Sequence, residues 1–193
     1  MSALILGLLM FLGMHSARIF AEGWRTQVIA QRGPGAWKGL YTVVSLVGFA
    51  LIVWGYGQAR LAPVVLWGSP AWTRHLASLL VLVAMVLLAA AYVPRNGIKA
   101  KVHHPMVLAV KVWALAHLLA NNTLADVLLF GGFLLWSVLD FRAARQRDRA
   151  AGTVYPAGTL AGSLTAVVVG CAAWAAFAFW LHLPLFGVRP FGG

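Results

Sequence analysis

The stretch PMVLAVKVWALAHLLANNTLADVLLFGGFLLWSVLDF, residues 105–141, decides the fold. It is two apolar runs on either side of Asn121 and Asn122. Only Lys111, Asp126 and Asp140 carry charge in it. Pro105 suits the first turn of a helix, and adjacent asparagines favour a turn. The pattern predicts helices over 105–120 and 123–141, joined as a tight hairpin. A bilayer-crossing helix takes about 20 mostly apolar residues, so the second run is long enough and the first is short.

Four more runs of this kind flank the hairpin, over residues 2–20, 39–57, 75–93 and 162–183. Of the 193 residues 62% are hydrophobic and 10% charged, and the only carboxylates are Glu22, Asp126, Asp140 and Asp148. A soluble domain has about 25% charged residues. The chain reads as an all-α, polytopic integral membrane bundle of about six transmembrane helices, one domain over residues 1–193. That excludes a soluble enzyme, a disulfide scaffold (Cys171 is alone) and a disordered chain. The net charge of +11 fits contact with anionic lipid better than with nucleic acid, and no nucleic-acid partner is expected.

The first run has no charge before Arg18, and His15-Ser16-Ala17 is a poor cleavage signal, so it reads as a retained helix. The first, third and fifth loops hold Arg25, Arg32, Lys38, Arg95, Lys99, Lys101, Arg142, Arg145, Arg147 and Arg149. The other side holds Arg60, Arg74 and Arg189. Positive residues stay inside, so the odd loops are expected in the cytoplasm and both termini in the periplasm of a bacterial inner membrane. Trp24 and Trp37 then fall at the inner interface, and Trp67, Trp72 and Trp180 at the outer one. Residues 61–73, rich in Pro and Trp, form a short outer interfacial element.

Polar groups inside a bilayer are expensive and start as functional candidates. His15, Arg18 and Glu22 share one helix face, with Arg18 and Glu22 spaced to pair. His104 opens the fourth helix, and His117 lies about 20 Å further along it, facing elsewhere. Depth groups His15 with His104 near the inner leaflet, and His75, His117 and His182 near the outer one. Lys111 sits mid-membrane on the face of His104 and is expected to line a polar interior. Asp140 falls at the depth of His104, either orienting it or lying at the interface beside Arg142. Asp126 and Asp140 are about 21 Å apart, too far for paired acid–base work. There is no phosphate loop or nucleophile elbow, and the histidine spacing carries no zinc signal. Two histidines on separate apolar helices are the usual material of a haem site.

The run from His104 to Asp140, with GMHSARIF at 13–20 and RGPGAWKGLYTVVSLVGFALIVWGY at 32–56, resembles the NnrU family of bacterial membrane proteins. The resemblance covers about three quarters of the chain. Asn122 departs from it, standing where Gly is expected after the first Asn. Bacterial members are associated with denitrification and nitric-oxide metabolism. Plant and cyanobacterial relatives are 15-cis-zeta-carotene isomerases, which use haem b held by histidines and open the iron by a redox-dependent ligand change. Carried over by motif, the implied iron ligands are His15 in GMHSAR and His104 in HHP, with His117 in AHLLAN a less favoured one. Arg18 or Lys101 would pair with the haem propionates.

The resemblance implies a haem b-binding protein that takes a hydrophobic polyene or a small gaseous ligand, and acts as an isomerase if it is an enzyme. It assigns no catalytic residue. The rival is a non-enzymatic accessory protein of the denitrification apparatus with structural histidines. A transporter, which would need broken helices and midplane charge, ranks last.

Overall fold

The computed structural model describes residues 1–191, and within them the only regular structure is helical. The helices are α1 (Ser2–His15), α2 (Ala17–Phe20), α3 (Glu22–Ala59), α4 (Trp72–Tyr92), α5 (Gly97–Val102), α6 (Pro105–Ala120), α7 (Leu124–Ala151), α8 (Leu160–Ala176) and α9 (His182–Phe186). A π-helical turn, Phe177–Leu181, joins the last two. A helix stands on each of the six apolar runs. Four stretches are long and apolar enough to cross a membrane, namely α3, α4, α7 and Leu160–Phe186, while α1 and α6 are shorter apolar helices. Large apolar side chains are exposed along them, with Leu9 at 68%, Leu79 at 63% and Val168 at 66%. Water does not tolerate such continuous apolar faces on a soluble protein, and lipid does.

Three boundaries differ from the sequence expectation, and one of them is the end of α7, which runs ten residues past 141 to Ala151. The first run breaks at Ser16, whose hydroxyl donates to the Leu12 carbonyl at 2.6 Å, before α2 takes one further turn. The second begins far earlier than residue 39. α3 starts at Glu22 and bends at Gly33, which lies at φ 80° ahead of Pro34. Glycine takes that conformation without a Cβ clash, and proline has no N–H to continue the ladder.

The chain forms two compact units. The first comprises Met1–Gly68 and Asn122–Ala143. In it α1 packs along α3 with backbones almost in contact. A Cβ on Gly55 would lie 2.3 Å from the Leu4 nitrogen, and one on Gly48 2.8 Å from the Phe11 nitrogen. Small residues at such crossings let membrane helices gain dispersion contacts that lipid cannot supply. The Pro- and Trp-rich segment is tied to the start of α7. Leu66 N donates to Asn122 O at 2.8 Å, and Leu124 N to Val64 O at 2.9 Å.

The second unit comprises Ser69–Asn121 and the chain from Ala144 onward. α4 packs against α6 and α8 through small residues, with Ala84, Ala90, Ala114, Ala116 and Ala166 all buried. α4 ends where Val93 turns extended before Pro94, as a residue preceding proline prefers. α5 is then bound to the start of α8: Thr159 N donates to Arg95 O at 2.7 Å, and Gly97 N to Ser163 Oγ at 2.9 Å. This seats the His103–His104 corner that follows α5.

Candidate functional site

Three helices of the first unit surround His15. Its Nδ1 lies 2.7 Å from the Phe11 carbonyl. A carbonyl can only accept, so Nδ1 carries the proton and Nε2 holds the lone pair. The ring stacks on Phe11 at 4.1 Å, meets Tyr41 of α3 at 5.0 Å, and meets Trp136 of α7 edge-on at 6.0 Å. Phe49 and Phe133 close the adjoining layer around Phe11. The Asp140 carboxylate lies within electrostatic reach of both His15 and Tyr41. Two buried donors of α3 and α7 have no hydrogen-bond partner among the described residues: Trp136 Nε1, and Ser45 Oγ one turn from Tyr41. A helical serine ordinarily bonds back to a carbonyl of the preceding turn. Burying donors unpaired costs free energy, so they mark a place where an acceptor is wanted.

The second unit builds a polar corner between the end of α5 and the end of α7. His104 is the N-cap of α6, placed there by Pro105 at the first helical position. Its Nε2 donates to Asp148 Oδ2 at 2.7 Å. Tyr155 donates its hydroxyl to the same carboxylate oxygen at 3.0 Å. Burial and the Asp148 carboxylate push the Tyr155 phenol above its ordinary value, so it remains a donor at neutral pH. His103 stacks on Tyr155 at 4.2 Å, nearly parallel, and accepts from Arg145 Nη1 at its own Nδ1. Its backbone lies at φ 67°. A non-glycine residue there costs on the order of 1–3 kcal/mol and is held only by surrounding contacts. The sequence set Asp140 at the depth of His104, and the carboxylate found on His104 is Asp148.

The other expected residues fall as follows. His117 on α6 repeats the arrangement of His15: Nδ1 is 2.9 Å from the Trp113 carbonyl one turn back, and the ring packs on the Trp113 side chain at 5.0 Å. Arg18 pairs with Glu22 at 3.6 Å, as its spacing predicted, and Arg25 joins the same carboxylate at 2.9 Å. Lys101 is exposed on α5, and Lys111 is half-buried on α6. His75 is exposed, and His182 is bonded to the Val188 carbonyl. Among the described residues no three metal-binding side chains converge.

The bonding roles of three polar residues escaped the sequence reading. Asp126, 4% exposed, accepts from Thr123 N at 2.9 Å, Thr123 Oγ1 at 2.6 Å and Tyr56 Oη at 2.5 Å. Thr123-x-x-Asp126 before an apolar run is a capping-box pattern and was there to be read. Asn96, 2% exposed, caps α5 and donates to the Ala90 and Val93 carbonyls. Its partners lie within a few residues, but an asparagine after Pro-Arg carries no distinctive signal. Asn122, the departure from the expected glycine, donates to the Trp67 carbonyl at 2.6 Å, a bond glycine cannot make.

The sequence profile of the family described as "NnrU protein" matches residues 3–190. No curated protein and no solved structure matches the chain.

Proposed function

The chain belongs to the NnrU family, and from that membership we propose that it is a haem b-binding integral membrane protein with His15 as an iron ligand. The observation that carries the reading is the setting of His15. One ring nitrogen is anchored to a helix carbonyl, the other holds a lone pair, and the surround is aromatic with two orphaned donors. A ligating histidine usually has its second nitrogen fixed in this way, which sets the tautomer and the ring orientation. The donor set therefore fits the group.

Two residues compete for a second ligand. The family motif supplies His104, which would bind through Nδ1 while Asp148 holds Nε2. His117, with Nδ1 anchored to the Trp113 carbonyl, is the less favoured alternative. Arg18, shared with Glu22, and the exposed Lys101 remain the proposed propionate partners. Haem supplies a redox-active iron with a ligand position able to take a polyene double bond or a small gas. The chain's own residues orient the imidazoles, exclude water with apolar helices and hold protons at Nδ1 of His15 and His117. The setting would be nitric-oxide metabolism or polyene isomerisation in the bacterial inner membrane, with both termini periplasmic. An accessory role in denitrification is the alternative.

The test is the visible spectrum of the full chain purified from haem-replete cells. A Soret band that His15→Ala abolishes or converts to high-spin supports the proposal. A colourless, iron-free protein would sink it in favour of the accessory role.

A further inference from the structure

The second unit has one carboxylate, Asp148, in its entire length. That carboxylate is directed at His104 and Tyr155. The two segments that meet at this corner carry six cationic side chains: Arg95, Lys99 and Lys101 before His103, and Arg145, Arg147 and Arg149 in the last turns of α7. The two groups lie 44 to 54 residues apart in sequence. Tertiary structure joins them, because Arg145 meets His103 and Asp148 meets His104. Arg95, Lys99, Lys101 and Arg149 are exposed. Arg95 comes three residues after the end of the apolar helix α4. The α7 cations follow the last large apolar residue of that helix, Phe141, within its final ten residues. Both groups therefore sit where apolar helices reach the headgroup layer.

We propose that this corner is a binding surface for the phosphate of an anionic phospholipid. Six cations against one committed carboxylate leave an unbalanced positive field, and the guanidinium groups match phosphate oxygens in pairs. Clusters of four to eight basic residues next to membrane helices are attracted to anionic headgroups. Occupancy comes from the lipid already surrounding the apolar helices, so the lipid phosphate outcompetes dilute soluble anions. His103 stacks on Tyr155, and the Arg145–His103 and Asp148–His104 bonds keep the α7 end against the α5 corner, which brings the two basic segments together. The inference depends on the membrane reading and not on haem.

The experiment is native mass spectrometry of the full chain in neutral detergent, with equimolar phosphatidylglycerol and phosphatidylcholine. At least fivefold preferential retention of phosphatidylglycerol is expected. The variant Arg95→Gln/Lys99→Gln/Arg149→Gln should bring retention near parity, and the same three positions as lysine or arginine should restore the preference. Removing three cations from the first unit, as Arg25→Gln/Arg32→Gln/Lys38→Gln, should leave it intact. Helical circular dichroism of each variant checks that it is folded. Equal retention by the wild type overturns the proposal, as does an unchanged preference in a folded second-unit variant. Displacement of the lipid by short RNA or by millimolar inorganic phosphate also overturns it. Lys101 is untouched in these variants, so failure here leaves the haem proposal standing, and a colourless protein leaves this one standing.

Discussion

His104 donates to Asp148 at 2.7 Å across 44 residues of sequence, so the start of α6 is held to the end of α7 by one charge-assisted bond. Tyr155 reinforces the same oxygen from the following segment. Groups sharing one hydrogen-bond network should not add independently. We expect His104→Ala and Asp148→Ala each to lower the melting temperature, and the double variant to lose markedly less than the sum. Tyr155→Phe should cost less than either. Strict additivity in thermal melts would show that the bond does not form.

The same pair separates the two candidates for a second haem ligand. If His117 is the ligand, Asp148→Asn and His104→Ala leave the Soret and α/β bands of the purified protein in place, while His117→Ala shifts them. If His104 is the ligand through Nδ1, His104→Ala abolishes the low-spin spectrum, and His117→Ala retains the haem at reduced yield. His15→Ala should lower haem occupancy in both cases.

Gly55 faces the backbone of α1 with no room for a Cβ. Gly55→Val should force α1 away from α3 at a cost of about 1–3 kcal/mol. The check is a loss of monodisperse protein on size exclusion and a lower melting temperature. Gly57→Val is the control, since nothing lies within 4 Å of a Cβ there.

Tyr56 Oη and the Thr123 cap share the buried Asp126 carboxylate. Removing the phenol leaves that carboxylate short of one donor. Tyr56→Phe should destabilise the first unit by about 1–3 kcal/mol, and Asp126→Ala by more, because it also strips the helix cap. Urea or thermal unfolding in detergent reads the order of the two.

Ten basic residues on one set of loops against three on the other predict the orientation. A reporter active only in the periplasm should work at the C-terminus and fail when fused after Arg147. The reverse result would invert the assignment of both termini.

Taken alone, the sequence determined the helical, membrane-type architecture and the place of each apolar run. Composition and run length are local properties; a bilayer leaves the backbone only helix or closed barrel, and unbroken apolar runs of this length select helix. It also set Pro105 in the first turn of α6, because proline suits that position whatever surrounds it. Arg18 with Glu22 was legible too, since a four-residue spacing fixes neighbours on one helix. The joining of His104 to Asp148, of His103 to Arg145 and of Tyr56 to Asp126 needed the tertiary structure. Each pair spans more than 40 residues, and helical periodicity gives a face and a depth but not the partner helix. That is why Asp140, at the expected depth, gave way to Asp148, two turns further along α7, beyond the apolar stretch. The ring tautomers of His15 and His117 were likewise decided by which carbonyl lies under each imidazole, a matter of side-chain rotamer that no spacing in the sequence records.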